Sequence, residues 1–208
     1  MISVIIPTLW LIDELHTTLK ELNDCELVGE IILIDNTPNK SVVKLSKVRH
    51  ILEGKNTFVN PAWNKGVAMA KYEKLLILND DTWFDWNLIY EIEKHINNSA
   101  GMIGISAENY KLKEPKSNIS IEKIDHRPLA FACAFFIHKD NWIPIPETMK
   151  IWGGDEWLFR RLKEKSLQNY KLNNLKVDGR ISATVNSLRK EEKMRKIMSN
   201  DSILGRRK

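Results

Sequence analysis

The chain has 208 residues, 43% hydrophobic and 28% charged, with a net charge of +5, the balance of a soluble globular protein of one domain. Its two cysteines, Cys25 and Cys133, exclude a disulfide framework and a zinc pattern, and fit a reducing compartment. No stretch approaches the roughly 18 apolar residues of a membrane span, and Pro7, Asp13 and Glu14 break up any secretory signal, so a soluble cytoplasmic protein is expected.

Ile2–Pro7 is a short β-branched apolar run closed by proline, hence a buried strand. Leu11, Leu15, Leu19 and Leu22 then recur at helical spacing. Glu30–Asp35 reads as a second strand, ended by the turn residues Asn36, Thr37 and Pro38, and Val48–Leu52 as a short third. Asn60-Pro61 looks like an N-cap with proline at the first helical position, opening a helix to about Lys71. Lys74–Leu78 is a fourth strand, Trp86–Ile96 a helix, and Met102–Ser106 a fifth strand. Residues 107–127 are polar and loop-like; His126 and Arg127 there either face an acceptor or belong to a solvated loop. Leu129–His138 is an apolar strand, and Ile151–Leu162 passes through two glycines into a helix. Ile181–Asn186 reads as a late strand and Arg189–Met198 as a peripheral helix. The end is basic through Arg189, Lys190, Lys193, Arg195, Lys196, Arg206, Arg207 and Lys208. That is a solvated helix and tail, or at most a peripheral hold on a membrane surface; no nucleic-acid motif accompanies it.

Strands alternating with helices imply an α/β fold with a mostly parallel central sheet flanked by helices, and such sheets bind ligands at the carboxyl ends of their strands. The polar residues at those ends are Thr8, Asp35, and the run Asn79-Asp80-Asp81. Two adjacent carboxylates after a buried strand repel each other and cost several kcal/mol to desolvate unless a cation or strong donors compensate. A hard divalent ion shared with substrate phosphates is one compensation; capping the next helix or forming an Asx turn is the other reading. Asp35 is either turn chemistry or an acceptor for a nucleobase. Asn64 and Lys65 would add donors near a helix N-terminus that attracts phosphate, while Gly66 allows close packing. In Gly153-Gly154-Asp155-Glu156-Trp157 two acids open a helix, either to complement its dipole or to supply a general base. Trp152 and Trp157 flank them with rings suited to sugar faces or to a core.

Taken together, ISVIIPT, EIILIDN, NPAWNKG, LLILNDDT and WGGDEWLFRRL resemble, in order and spacing, the family 2 glycosyltransferases and their GT-A fold relatives over residues 2–165. The resemblance implies a single GT-A domain over 1–188, with a nucleotide-sugar half (1–106), an acceptor half (107–188), and a basic tail (189–208). It implies a nucleoside pocket at Pro7, Thr8, Asp35 and Asn36, with Asn64 and Lys65 near the diphosphate. Asp80 would approach ribose or metal, and Asp81 would ligate Mn2+ or Mg2+. Asp155 or Glu156 would be the base, with Asp155 favoured, and Trp152, Gly154 and Trp157 would meet the acceptor. The implied reaction is inverting transfer of one sugar from a UDP, GDP or dTDP sugar to a glycan, glycoprotein or glycolipid hydroxyl. Departures from the family pattern are Asn79 and Asn36 in place of acids, the order Asp155-Glu156, and Thr184 or Asn186 where relatives carry a metal-binding histidine. A nucleotidyltransferase would need a glycine-rich basic loop after Pro7, which Thr8-Leu9-Trp10-Leu11 lacks. A non-catalytic binding subunit would have no use for both pairs of acids.

Overall fold

The structure, a computed structural model, describes residues 1–38, 42–114, 118–179 and 192–206. Alternation along each strand builds two core layers. In β1 (Ile2–Thr8), Ile2, Val4 and Ile6 join one layer and Ile5 the other. β2 (Val28–Asp35) divides the same way, with Ile31 and Leu33 against Ile32 and Ile34. Helix α1 (Leu15–Asp24) covers the first layer with Leu15, Leu19 and Leu22, all buried; each contributes about 1.5–3 kcal/mol. Helix α2 (Val59–Met69) covers the second with Ala62, Trp63 and Val67, and α4 (Gly154–Glu164) adds Leu158, Phe159 and Leu162. Gly66 allows α2 its close approach, since a Cβ there would lie 2.4 Å from Ile5.

The eight-stranded sheet runs β3 (Val48–Leu52), β2, β1, β4 (Lys74–Leu78), β8 (Ala134–His138), β6 (Ala100–Gly104), β9 (Gln168–Asn173), β7 (Ser120–Ile124). β8 and β7 run against the other six, so the sheet is mostly parallel, as expected. Connections from β1 go one way to β2, and α2 returns the chain to β4 on the other side of β1. The topological switch point therefore lies between β1 and β4, where open sheets of this kind place ligands.

Several elements differ from the sequence expectation. Leu11 is half exposed and precedes α1. Asn60 is inside α2, not its cap; Phe58, at φ 71°, precedes the helix. The stretch from Trp86 to Ile96 is a helical turn, Trp86–Leu88, followed by the short α3 (Ile89–Glu93). Residues 129–138 hold a helical turn, Phe131–Cys133, before the strand proper. β5 (Thr82–Phe84), β7, β9 and β10 (Val177–Gly179) escaped the sequence reading; β5 and β10 form a separate antiparallel ribbon. The expected strand Ile181–Asn186, with Thr184 and Asn186, lies outside the described residues, as do Arg189, Lys190, Arg207 and Lys208. The last helix, α5 (Glu192–Arg206), is not simply solvated: Met194, Met198 and Asp201 are buried, and it packs on α4. Among the described residues no helix is long and apolar enough to cross a membrane.

Candidate active site

Parallel pairing sets Thr8 opposite Asp35 at the carboxyl edge, and β4 ends one residue before Asn79. Thr8 Oγ1 donates to Asp80 Oδ2 at 2.8 Å and accepts the Trp10 backbone N–H at 2.8 Å. Burial pushes the Asp80 carboxyl up from its ordinary value, against the pull of the Thr8 hydroxyl and the Leu9 amide. The helix-cap reading of this run fails: Asp80 and Asp81 lead into β5, and Asp85 caps the next helical turn by accepting the Asn87 N–H at 3.0 Å.

A cleft of about 440 Å³ opens at this edge. Pro7, Thr8, Asn36, Asn79, Asp80 and Asp81 line it from the strand ends, and Arg127, Leu129, Trp152, Gly153 and Asp155 from the later part of the chain. Phe58, Val59, Trp63 and Ile151 supply apolar walls. Asp155 stands in the first turn of α4 because the preceding backbone turns sharply. Gly153 adopts φ 74°, a left-handed conformation that favours glycine, and its carbonyl accepts the Trp157 N–H at 2.8 Å. Gly154 presses on α2, where a Cβ would meet Asn60 Oδ1 at 2.3 Å.

Arg127 ties the two acids together. Its Nε donates to Glu156 Oε2 at 2.9 Å, and its Nη1 stands 2.9 Å from Asp155 Oδ2, a close charge contact without good hydrogen-bond direction. Burial pushes the Asp155 carboxyl up, and the Arg127 charge counters it. Asp155 is buried and lines the cleft; Glu156 is more open and does not line it. The geometry thus makes Asp155 the better-placed acid. Cys133 also lines the cleft, but burial pushes its thiol up to about 11, so it is protonated near neutral pH and no nucleophile.

Other expected site residues are placed elsewhere. Asp35 is fully buried, and its carboxylate accepts from Trp10 Nε1 (2.7 Å), the Thr37 N–H (2.9 Å) and the Thr37 hydroxyl (2.6 Å). His50 Nε2 adds a contact at 3.1 Å; because His50 Nδ1 accepts the Val43 N–H, the ring proton is on Nε2. A base reaching Asp35 has to displace one of these donors. Asn64 is not brought to the cleft: its amide donates to Ile145 O at 2.8 Å and accepts from the Ile145 N–H at 2.9 Å. Lys65 is turned toward Glu53, with which it pairs. Trp157 lies under the Arg161 guanidinium, 5.8 Å from the ring, and does not line the cleft; Gly154 serves packing. His126 is exposed.

Among the described residues no group of three or more His, Cys, Asp or Glu gathers as a metal cage. The donor set at the cleft is two hard carboxylates, Asp80 and Asp81, which suits an oxygen-seeking ion completed by water and ligand phosphates.

Residues 3–153, well over half the chain, match the model of glycosyl transferase family 2. No curated protein sequence matches. Among solved structures the chain is similar to S. aureus TarS residues 1–349, at 15% identity and a TM-score of 0.58, covering 83% of this chain and 58% of that one. The same TarS segment in complex with UDP gives 17% identity, a TM-score of 0.54 and the same coverage. A further TarS structure gives 13% identity and 0.54, covering 82% of this chain and 36% of that one. The chain thus spans less than two thirds of the length of these structures, and at such identity the likeness is one of fold. On the match over 3–153, carried by a GT-A type sheet, the chain belongs to glycosyl transferase family 2.

Proposed function

We propose that the chain transfers a single sugar from a nucleotide diphosphate sugar to an acceptor hydroxyl, with inversion and with a divalent ion. The observation that carries this reading is that Asp80, Asp81 and the Asp155–Arg127 pair line one cavity at the switch point of the sheet. Thr8, Asn36 and Asp80 take the nucleoside end, and a UDP, GDP or dTDP donor fits this chemistry; the UDP complex of TarS supports the first. Asp35 supports the same end from below, through Trp10 and Thr37. Asp81, with Asp80, holds Mn2+ or Mg2+, which supplies charge neutralisation to the departing diphosphate. Residues 1–106 form the donor half, and 107–188 the acceptor half with Trp152 against the sugar or acceptor.

Asp155 takes the acceptor hydroxyl's proton as the new oxygen–carbon bond forms on one face of the sugar. The bond to the diphosphate breaks on the opposite face, so one displacement inverts the anomeric carbon. Burial pushes the Asp155 carboxyl up, and the Arg127 charge opposes that rise and so favours the ionised form a base needs. The acceptor is a glycan, glycoprotein or glycolipid hydroxyl in the cytoplasm, reached with at most a peripheral membrane contact. The test is release of nucleoside diphosphate from a panel of sugar donors. Asp155→Asn is expected to abolish turnover while binding donor as the native chain does; full turnover in that variant would remove Asp155 as base.

A further inference from the structure

We infer that Asp201, on the C-terminal helix α5, is a positioning residue that clamps the loop leading into the base-bearing helix; this rests on Asp155 being the base. Asp201 is 1% exposed. Its Oδ2 accepts three successive backbone N–H groups, from Lys150 at 2.9 Å, Ile151 at 2.5 Å and Trp152 at 3.1 Å. Three amides converging on one anionic oxygen form a nest, and such charge-assisted bonds are roughly twice as strong as neutral ones. The other side of the same loop is held by α2. The Asn60 N–H donates to Lys150 O at 3.1 Å, and Asn60 Nδ2 lies 3.4 Å from Met149 O. The peptide groups of 149–152 are therefore gripped from two helices at once.

The gripped loop runs directly into the acceptor side of the cleft, which Trp152, Gly153 and Asp155 all line. Met194, Met198 and Asp201 share one face of α5 by their spacing, so two buried methionines seat the helix and the aspartate makes the clamp. The family match ends at residue 153, so the clamp comes from a segment the match does not include. Asp201 bonds to the backbone of this loop, whereas the donor residues Thr8, Asn36, Asp80 and Asp81 sit at the ends of the strands β1, β2 and β4. Loss of the clamp should consequently separate transfer from donor binding.

The experiment uses the full chain with Asp201→Ala and Asp201→Asn. Asparagine keeps the shape and a neutral acceptor oxygen, and it decides alone should the alanine variant not fold. Amide exchange over 149–153, donor binding and turnover are measured together. The expected result is faster exchange at 150–152, unchanged donor affinity, and turnover reduced about 100-fold in the alanine variant, the size of effect of a misplacement of about 1 Å, with asparagine between. Unchanged exchange, or native turnover in both variants, would overturn the clamp. Should the native chain turn over no sugar donor, the proposed function fails, while the exchange measurement still decides whether Asp201 holds the loop.

Discussion

Gly154→Ala places one methyl group at a tight contact beside the site. The new Cβ would stand 2.3 Å from Asn60 Oδ1, where ordinary contact begins at 3.4 Å, so one side must give by about 1.1 Å. Asn60 has little room to do so: it is 1% exposed, and its backbone is bonded to Lys150 O. The start of α4 is then what retreats, and Asp155 travels with it. Overpacking of this kind costs about 1–3 kcal/mol, and at ~2–4 °C per kcal/mol for a chain of this length the melting temperature should fall by about 2–12 °C. A displacement near 1 Å at the base should lower turnover roughly 100-fold, with donor affinity unchanged because the nucleotide side is not touched. The assays are thermal melting, donor titration and nucleoside diphosphate release. Pairing Gly154→Ala with Asn60→Ala clears the space, so the double variant should recover stability, with a coupling of about 0.5–3 kcal/mol. Native turnover in Gly154→Ala, or strictly additive losses in the double variant, would refute the reasoning.

Charge at the cleft sets two more outcomes. Burial raises the Asp80 carboxyl, so its ionised form is penalised in the folded state; that penalty is absent below the ordinary carboxylate value, grows between the ordinary and the raised value, and is complete above it. Asp80→Asn should therefore raise the melting temperature of the metal-free chain at neutral pH, with little gain in acid, and should lose its advantage when metal and nucleotide are present; a lower melting temperature at neutral pH without metal would contradict this. In Asp155, burial raises the carboxyl and Arg127 holds it down, so Arg127→Met lets it climb. The acid limb of kcat/KM should move to higher pH, and activity lost near neutrality should return as pH is raised; an acid limb that does not move would sink the role given to Arg127.

The sequence made the sheet legible where strands are buried on both faces. Lys74–Leu78 runs as expected, because a continuous apolar run between turn residues has few other solutions; Val48–Leu52 also has its expected bounds, although it is an edge strand with no fully buried residue. β7 and β9 were missed because their polar faces carry no such run. The acids of the cleft were legible from their place after strands and before a helix. Their partners were not: Arg127 meets Glu156 across 29 positions, and Asp201 meets Trp152 across 49. Asn64 shows the same limit. Its spacing from Asn60 puts both on one face of α2, but that face meets the loop at 145–150, some 81 positions on, instead of a phosphate. A local pattern gives a face; only the fold says what it faces.

The central claim is that Asp80 and Asp81 hold a divalent ion and a nucleotide diphosphate together. Melting of the full chain with Mn2+ alone, UDP alone and both, repeated with GDP, dTDP and Asp81→Ala, tests it directly. With ligand near 100 times its Kd, the gain should be about 2.7 kcal/mol, or roughly 5–11 °C, for one nucleotide, only with metal, and only with Asp81 in place. An equal nucleotide shift without metal, or in Asp81→Ala, would contradict the account.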